Sequence, residues 1–354
     1  LYERCVGQHP VDRRVHGPWP VVPYERVPKQ LDRDGGGPEP VLIFSDGMPA
    51  GAGHGRSKAE IRVVMPCNQR CTFCFVNRSA PGATTDELTE SVDLALARGV
   101  DAIIFTGGEP TLSPHLGPLI ARATAGGVRC RGIQTNALRL AEGDLVDRLV
   151  EAGLNHAHVS LHDVDPARYL EITGFGTPSQ TVAGARRLAD RGVQLSLSLV
   201  INRVNVQHLD DVVRLVAEQL PEAVVVVAVA REQTTVTRPW HRALVRYSDA
   251  GPALMRTLRL ADSLGVKAVA AGTCGLPPCV LGEAYQPGEG ASFARRFFEW
   301  VPIRERDNAD AGGHYSHTLL PSCDRCVARR DCPGIDMNYL GRHGPDEFVP
   351  ITSR

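Results

Sequence analysis

Three cysteines fall within eight residues, Cys67-Asn-Gln-Arg-Cys71-Thr-Phe-Cys74, directly after a short apolar stretch. Few features restrict a chain more, because the loop that carries them must aim three sulfurs at one place. Four-iron clusters ordinarily take four thiolates. A compact loop that offers three leaves one iron without a protein ligand. An iron with an open position is a place to bind a small molecule and react with it. The competing reading is a zinc knuckle or a set of buried thiols. A closed zinc site wants four N or S ligands, commonly as two close pairs, and neither Asn68 nor Arg70 supplies a fourth here.

The second motif lies beyond a predicted helix. Asp101-Ala-Ile-Ile-Phe-Thr-Gly107-Gly108-Glu109-Pro110 reads as a buried strand ending in a glycine pair. Alone, such a turn is ordinary punctuation. At the carboxyl end of a strand, a glycine pair lets backbone approach a ligand closely. In α/β architectures ligands gather at that end of the strands.

Taken together, these residues resemble the radical S-adenosylmethionine (radical SAM) superfamily. Cys67, Cys71, Phe73, Cys74 and the turn Gly107, Gly108, Glu109, Pro110 carry the likeness, which extends from residue 59 to the C-terminus. The resemblance implies that the three cysteines hold a 4Fe-4S cluster and that its open iron is chelated by the amino and carboxylate groups of SAM. It implies too that the glycine turn meets the SAM amino group and that Phe73 lies near the adenine.

The rest of the chain alternates strand and helix. Thr84-Thr-Asp-Glu87 is a helix start with a capping box; Leu88, Val92, Ala95 and Leu96 then share one face, and Gly99 stops the helix. A helix over 116–125 leads to the strand Val128–Gln134, and one near 143–152 to the strand His156–Leu161. A helix near 180–191 leads to Gln194–Ile201, and one over 208–219 to the apolar run 223–230, before a helix at 252–264 stopped by Gly265. Six βα units with apolar strands predict an α/β fold with a parallel sheet covered on both faces, either an incomplete barrel or a doubly wound sheet. The resemblance favours a partial (β/α)6 TIM-like barrel over 59–270 and a small cysteine-rich auxiliary-cluster domain over 271–354. Residues 1–58, rich in proline, arginine and glycine, read as an irregular extension. Two short strands, Val41–Phe44 and Glu60–Met65, are expected about a glycine-rich turn.

Two further strand ends match SAM contacts by position, Thr135 after the third barrel strand and Ser160 after the fourth. The other role open to both hydroxyls is to cap a strand end. Arg231, past the sixth strand, is a weaker candidate for the SAM carboxylate. His156, His158 and His162 alternate along one strand and read as packing residues or as supports behind the site rather than ligands.

A second cysteine group occupies the C-terminal region: Cys274, Cys279, then Cys323-Asp-Arg-Cys326 and Cys332-Pro-Gly. This C-x2-C-x5-C spacing with a distant upstream cysteine resembles the twitch/SPASM-like extensions after radical SAM barrels, in the version ending with an aromatic, here Tyr339. The resemblance implies one auxiliary 4Fe-4S cluster on Cys279, Cys323, Cys326 and Cys332. Structural zinc is the alternative for the same thiolates. Five cysteines serve four places. The rigid Pro277-Pro278 step favours Cys279 as ligand, which leaves Cys274 as a candidate hydrogen-atom donor, with the reverse assignment open. Cys5 and Cys130 look incidental.

The net charge of -1 gives no case for nucleic acid or an anionic membrane surface. The longest apolar run, Ala223–Ala230, is far short of a membrane span. No apolar h-region is visible at the start. Clustered thiols that must stay free for metal suit a reduced cytoplasm. The expected activity is therefore that of a radical SAM enzyme of epimerase or dehydrogenase type, fed by a reductant such as flavodoxin or ferredoxin. It takes a hydrogen atom from a carbohydrate-like natural-product intermediate. A peptide maturase forming a cross-link or an epimerised residue is the alternative, although residues 1–58 lack the helical periodicity of a leader-binding module. A non-enzymatic iron–sulfur or zinc protein is the remaining one.

Overall fold

The computed structural model describes residues 42–45, 58–231, 242–270, 276–281, 317–329, 332 and 334–352. Cys5, Cys274 and most of the N-terminal extension lie outside them.

The elements follow the alternation read from the sequence. In chain order they are β1 (Leu42–Ser45), β2 (Lys58–Val64), α1 (Thr85–Ala97), β3 (Ala102–Gly107), α2 (Leu116–Ala125), β4 (Cys130–Thr135), α3 (Leu145–Glu151) and β5 (His156–Ser160). Then come α4 (Pro166–Thr173), α5 (Pro178–Asp190), β6 (Gln194–Ile201), α6 (Leu209–Gln219), β7 (Val224–Val229), α7 (Tyr247–Ser263) and β8 (Ala268–Ala270). The C-terminal region adds β9 (His317–Thr318), β10 (Ile335–Asp336) and α8 (Met337–His343).

Strands β1 to β8 form one sheet in sequence order. β1 pairs antiparallel with β2, and every later pairing is parallel. Sequential parallel order without a reversal is that of a barrel wall rather than a doubly wound sheet. Seven strands run parallel, one more than the six expected from the sequence; β8 has only three residues, too few to show a period.

One face of each strand carries the core. Ala59, Ile61 and Val63 of β2, Ile103 and Phe105 of β3, and Leu197 and Leu199 of β6 are at most 4% exposed and pack against the helices. Helix α1 begins with the capping box foreseen at Thr84 and Glu87. Helix α4, missed in the sequence, starts at the Asp165 cap with Pro166 in its first turn and ends at Gly174, whose φ is 70°. Helix α7 starts at Tyr247, five residues before Pro252, so that proline lies inside the helix rather than at its first position.

Candidate active site

The cysteine loop leaves the carboxyl end of β2, where the register against β3 slips between Arg62 and Val64. Its backbone is pinned by α4: Arg70 N donates to Thr173 O at 2.7 Å and Thr72 N to Ile172 O at 2.9 Å. Gln69, 3% exposed, points inward and its amide donates to Tyr169 Oη at 2.9 Å and Phe175 O at 3.1 Å. Tyr169 Oη is shared with Thr181 Oγ1 at 2.8 Å. A single glutamine thus ties the loop to two helices, a role its sequence position did not reveal.

Cys67, Cys71 and Cys74 are half-buried and influence one another electrostatically. Burial pushes the Cys67 thiol up to about 11, with Glu109 and Cys74 adding to the rise. Burial and then its two cysteine neighbours push Cys71 higher still. Gln69 N donates to Cys67 Sγ at 3.4 Å, a contact that suits an anionic sulfur. Burial therefore keeps these thiols protonated until a metal centre displaces the protons and takes the sulfurs as thiolates. Three neighbouring sulfurs on one pinned loop are a donor set that fits an iron–sulfur cluster. Among the described residues, no group of three or more His, Cys, Asp or Glu side chains is placed to hold a single metal ion.

The glycine turn packs on the entrance to this loop. A Cβ on Gly107, whose φ is 128°, would sit 2.0 Å from Val64 O, and one on Gly108 2.1 Å from Pro66 O. Gly108 N donates to Val64 O at 2.7 Å and Glu109 N to Pro66 O at 3.0 Å. The close approach that the glycines permit is thus to the backbone leading into the cysteine loop, not only toward the ligand side. Both Gly107 and Gly108 are needed to seat that loop.

Glu109, 1% exposed, is turned away from solvent and spends its carboxylate on neighbouring donors. Its carboxylate accepts from Thr111 N (3.1 Å), Thr111 Oγ1 (2.7 Å), Thr135 Oγ1 (2.6 Å) and Asn136 N (2.8 Å). Burial pushes its carboxyl up, against the pull of those donors. The Thr135 hydroxyl also accepts from Ala137 N at 2.9 Å, so it is engaged as a strand-end cap. Asn136 closes the circuit by donating from Nδ2 to Asn68 Oδ1 of the cysteine loop at 2.7 Å. Pro110 is buried in the short turn that follows.

Phe73 meets His162 edge-on, with ring centroids 4.9 Å apart. His162 is held neutral, burial pushing it down to about 3, and its Nδ1 accepts from Val200 N at 3.3 Å. It is a packing residue beneath Phe73, as read from the sequence. Ser160 sits half-buried at the carboxyl end of β5, in register with Ser198 of β6.

Much of the inward face of the strands is polar. A Cβ on Gly132 would meet Ile104 Cδ1 at 2.6 Å and His156 Cδ2 at 3.3 Å, which places these three residues on one surface. The same alternation brings Lys58, Glu60 and Arg62 of β2, Gln134 of β4, His158 of β5 and Ser196 of β6 inward. His158 Nδ1 lies 2.7 Å from Ser196 Oγ, which is 3.3 Å from His156 Nε2. Burial pushes both histidines down to about 4. It pushes Glu60 up, but Lys58 at 2.5 Å outweighs this and holds the carboxyl below its ordinary value.

The C-terminal cysteines also converge. Cys279 is pushed up to about 12 by burial and then by Cys323 and Cys326, and Cys332 to about 12 by burial and then by Cys279, Cys323 and Cys326. The turn that carries Cys279 lies against α7: a Cβ on Gly251 would sit 1.8 Å from Val280 O. Tyr339 stacks on Tyr247 with centroids 3.7 Å apart, and its hydroxyl accepts from Tyr247 N at 2.8 Å. Glu347 Oε2 accepts from Ser248 N at 2.7 Å. Open amides at the N-terminus of α7 are thereby capped by the C-terminal segment. Arg231 is half-buried past β7. No described helix is long and apolar enough to cross a membrane.

Comparison with known proteins agrees with this geometry. The radical SAM superfamily model matches residues 63–216. The chain is 29% identical over 162 residues to a probable GTP 3',8-cyclase of Sulfolobus acidocaldarius, covering 44% of this chain and 51% of that protein. It is 27% identical over 316 residues to the GTP 3',8-cyclase of Mycolicibacterium smegmatis, covering 83% of this chain and 80% of that one. The first of these relatives is thus spanned over only about half its length. The solved structure of native anSMEcpe with bound AdoMet and Kp18Cys peptide shares the fold, with TM-score 0.55 at 13% identity, covering 82% of this chain and 94% of that one. The cysteine loop, the glycine turn seated on it and most of the parallel barrel behind them thus lie within residues 63–216, the part of this chain that forms a radical SAM domain, and their cofactors are accordingly a 4Fe-4S cluster and SAM.

Proposed function

We propose that this enzyme removes a hydrogen atom from one unactivated carbon of a small carbohydrate-like intermediate, with epimerisation or oxidation of that carbon as the net reaction. The observation that carries the reading is the rigid seating of Cys67, Cys71 and Cys74 at the carboxyl end of a barrel whose interior is in large part polar. The cluster and SAM, when bound, supply one-electron cleavage of SAM to methionine and a 5'-deoxyadenosyl radical. The protein's share is to hold the loop through Gln69 and Asn136, to keep water from the reacting carbon, and to orient the substrate. Phe73, Gly107, Ser160 and, through the strand end it caps, Thr135 border the volume in which SAM would lie.

In epimerisation the substrate carbon loses a hydrogen atom and regains one on its opposite face. Cys274, which lies outside the described residues, is the proposed donor; its thiyl radical then needs one electron and one proton to return to the thiol. Oxidation instead removes a second electron and a proton from the substrate. Cys279, Cys323, Cys326 and Cys332 are proposed to hold the auxiliary 4Fe-4S cluster, and an acidic carrier of the flavodoxin or ferredoxin type to supply electrons.

The length of the match to the mycobacterial cyclase favours a second reading, in which the substrate is a purine nucleotide. Iron and sulfide content after anaerobic reconstitution, together with deoxyadenosine formation by the reduced protein, tests the first step. About eight irons are expected, falling to about four in a Cys67/Cys71/Cys74→Ala variant. Deoxyadenosine without epimerisation or oxidation in a Cys274→Ser variant supports hydrogen return by that thiol. Unchanged turnover rules it out.

A further inference from the structure

TIM-type barrels fill their interiors with layers of bulky branched side chains. Here one layer is polar across five strands. In the middle layer Arg62 of β2 is in register with Thr106 of β3, Gln134 of β4 with His158 of β5, and His158 with Ser196 of β6. Thr106 and Gln134 follow directly on the pair Phe105 and Ile133, so the row is continuous across five strands. Gln134 is exposed even though β4 has hydrogen-bonded strands on both sides. Solvent therefore reaches Gln134 from the inside of the sheet; Arg62, Thr106 and His158 of the same row are half-buried and Ser196 is buried. The next layer toward the carboxyl ends, where the cysteine loop sits, adds Ser160 and Ser198.

We propose that the row Arg62, Thr106, Gln134, His158 and Ser196 is the substrate-recognition surface of this enzyme, and that it takes a hydroxyl-rich ring that is neutral or carries a single negative charge. This rests on the reading that hydrogen-atom abstraction occurs in this barrel.

The chemistry of the row sets the class. Thr, Ser, Gln and neutral His each donate and accept, as a ring of hydroxyls requires. His158 and Ser196 already bond to each other, but an apolar substrate would take the water from Gln134 and replace it with nothing, at a cost. Directly beside Ser196 and Ser198, their register partners Val224 and Val226 of β7 offer an apolar strip to the C–H face of a ring. Charge sets the limit. On the inward strand faces of β2 to β7 the charged residues are Lys58, Glu60 and Arg62, which sum to a single positive charge. The histidines add none near neutral pH. One net cation matches a carboxylate. It falls short of a nucleoside triphosphate and repels a polycationic aminosugar.

Saturation-transfer NMR and titration on the reconstituted, SAM-loaded enzyme test this with four probes: glucose, glucuronate, GTP and an acetylated pentapeptide amide. Glucose or glucuronate is expected to bind, and GTP and the pentapeptide to show no transfer. Gln134→Leu and Ser196→Val are each expected to weaken sugar binding about tenfold, the equivalent of one lost hydrogen bond of roughly 1.4 kcal/mol. Iron content and SAM affinity stay unchanged in both. Thr106→Val serves if either variant fails to fold. Preferential binding of GTP or the pentapeptide, absence of transfer to both sugars, or sugar binding indifferent to the substitutions overturns the proposal. Deoxyadenosine formed by the reduced enzyme without any sugar reports separately on the underlying reading, so the two can fail independently.

Discussion

Thr135 donates its hydroxyl proton to the Glu109 carboxylate at 2.6 Å, across 26 residues of sequence. The bond joins the turn after β3 to the end of β4, and Asn136 extends the join to Asn68 in the cysteine loop. Glu109→Gln places an amide NH2 among the donors that Glu109 accepts from. A loss of about 3 kcal/mol of stability is expected, since removing a buried charged acceptor strands its partners. Thr135→Val is expected to cost about 1–2 kcal/mol. Denaturant midpoints of the two variants measure this; equal, negligible shifts would contradict the clasp.

Gly108→Ala is expected to be worse than an ordinary overpacking change of about 1–3 kcal/mol, because the new methyl meets the backbone oxygens of Met65 and Pro66 rather than a movable side chain. The N-terminal cluster is the place to look. Iron content is expected to fall by the share that Cys67, Cys71 and Cys74 hold, while the C-terminal share persists. Wild-type iron in this variant would show that the turn can yield.

Gly251→Ala is the matching change at the other centre. Alanine is the better helix former by about 1 kcal/mol, yet its methyl collides with Val280 O beside Cys279. Net destabilisation is expected, with iron lost from the C-terminal set. A stabilised variant would mean that the Cys279 turn moves aside freely.

Tyr339→Phe removes the acceptor for Tyr247 N and the donor to Glu347 while leaving the ring stack in place. A cost of about 1–3 kcal/mol is expected, read as faster proteolysis of the chain after residue 316 than of the barrel. Identical cleavage rates in variant and wild type would contradict this docking role.

The buried histidines set a pH dependence. His156 and His158 sit near 4 in the folded chain, against about 6.5 when unfolded. Below 6.5 the unfolded chain takes up protons that the folded one refuses, so stability is full above that pH and falls as pH drops toward 4. Urea midpoints between pH 7.5 and 5 check the sign, and His158→Gln is expected to flatten the slope. A midpoint that rises on acidification would refute it.

Local signals read well from the sequence. The strand Gln194–Ile201 emerged with the bounds foreseen, and Thr84 and Glu87 form their reciprocal cap, since both depend on neighbours a few residues away. Helix α4 was missed because its buried stripe is short and half polar, with Tyr169, Ile172 and Thr173. The motif cysteines and glycines were legible as chemistry, but the partner of the glycines was not. Space beside Gly107 and Gly108 suggested a ligand, whereas much of it is filled by the backbone of Val64 to Pro66, which only the sheet brings there. Gln69 and Asn136 carried no signal because their partners lie up to 106 residues away. The polar layer of the interior was hidden for a related reason: His156, His158 and Ser196 look unremarkable until strand register sets them side by side.

The hold of α4 on the cysteine loop also bears on how distant changes reach the site. Arg70 N and Thr72 N are satisfied by Thr173 O and Ile172 O, and Gln69 by Tyr169 and Phe175. All of these partners belong to one helix and the turn just after it, so the aim of the three sulfurs depends on where that helix sits. A substitution that shifts α4 would be felt at the cysteines although it touches none of them.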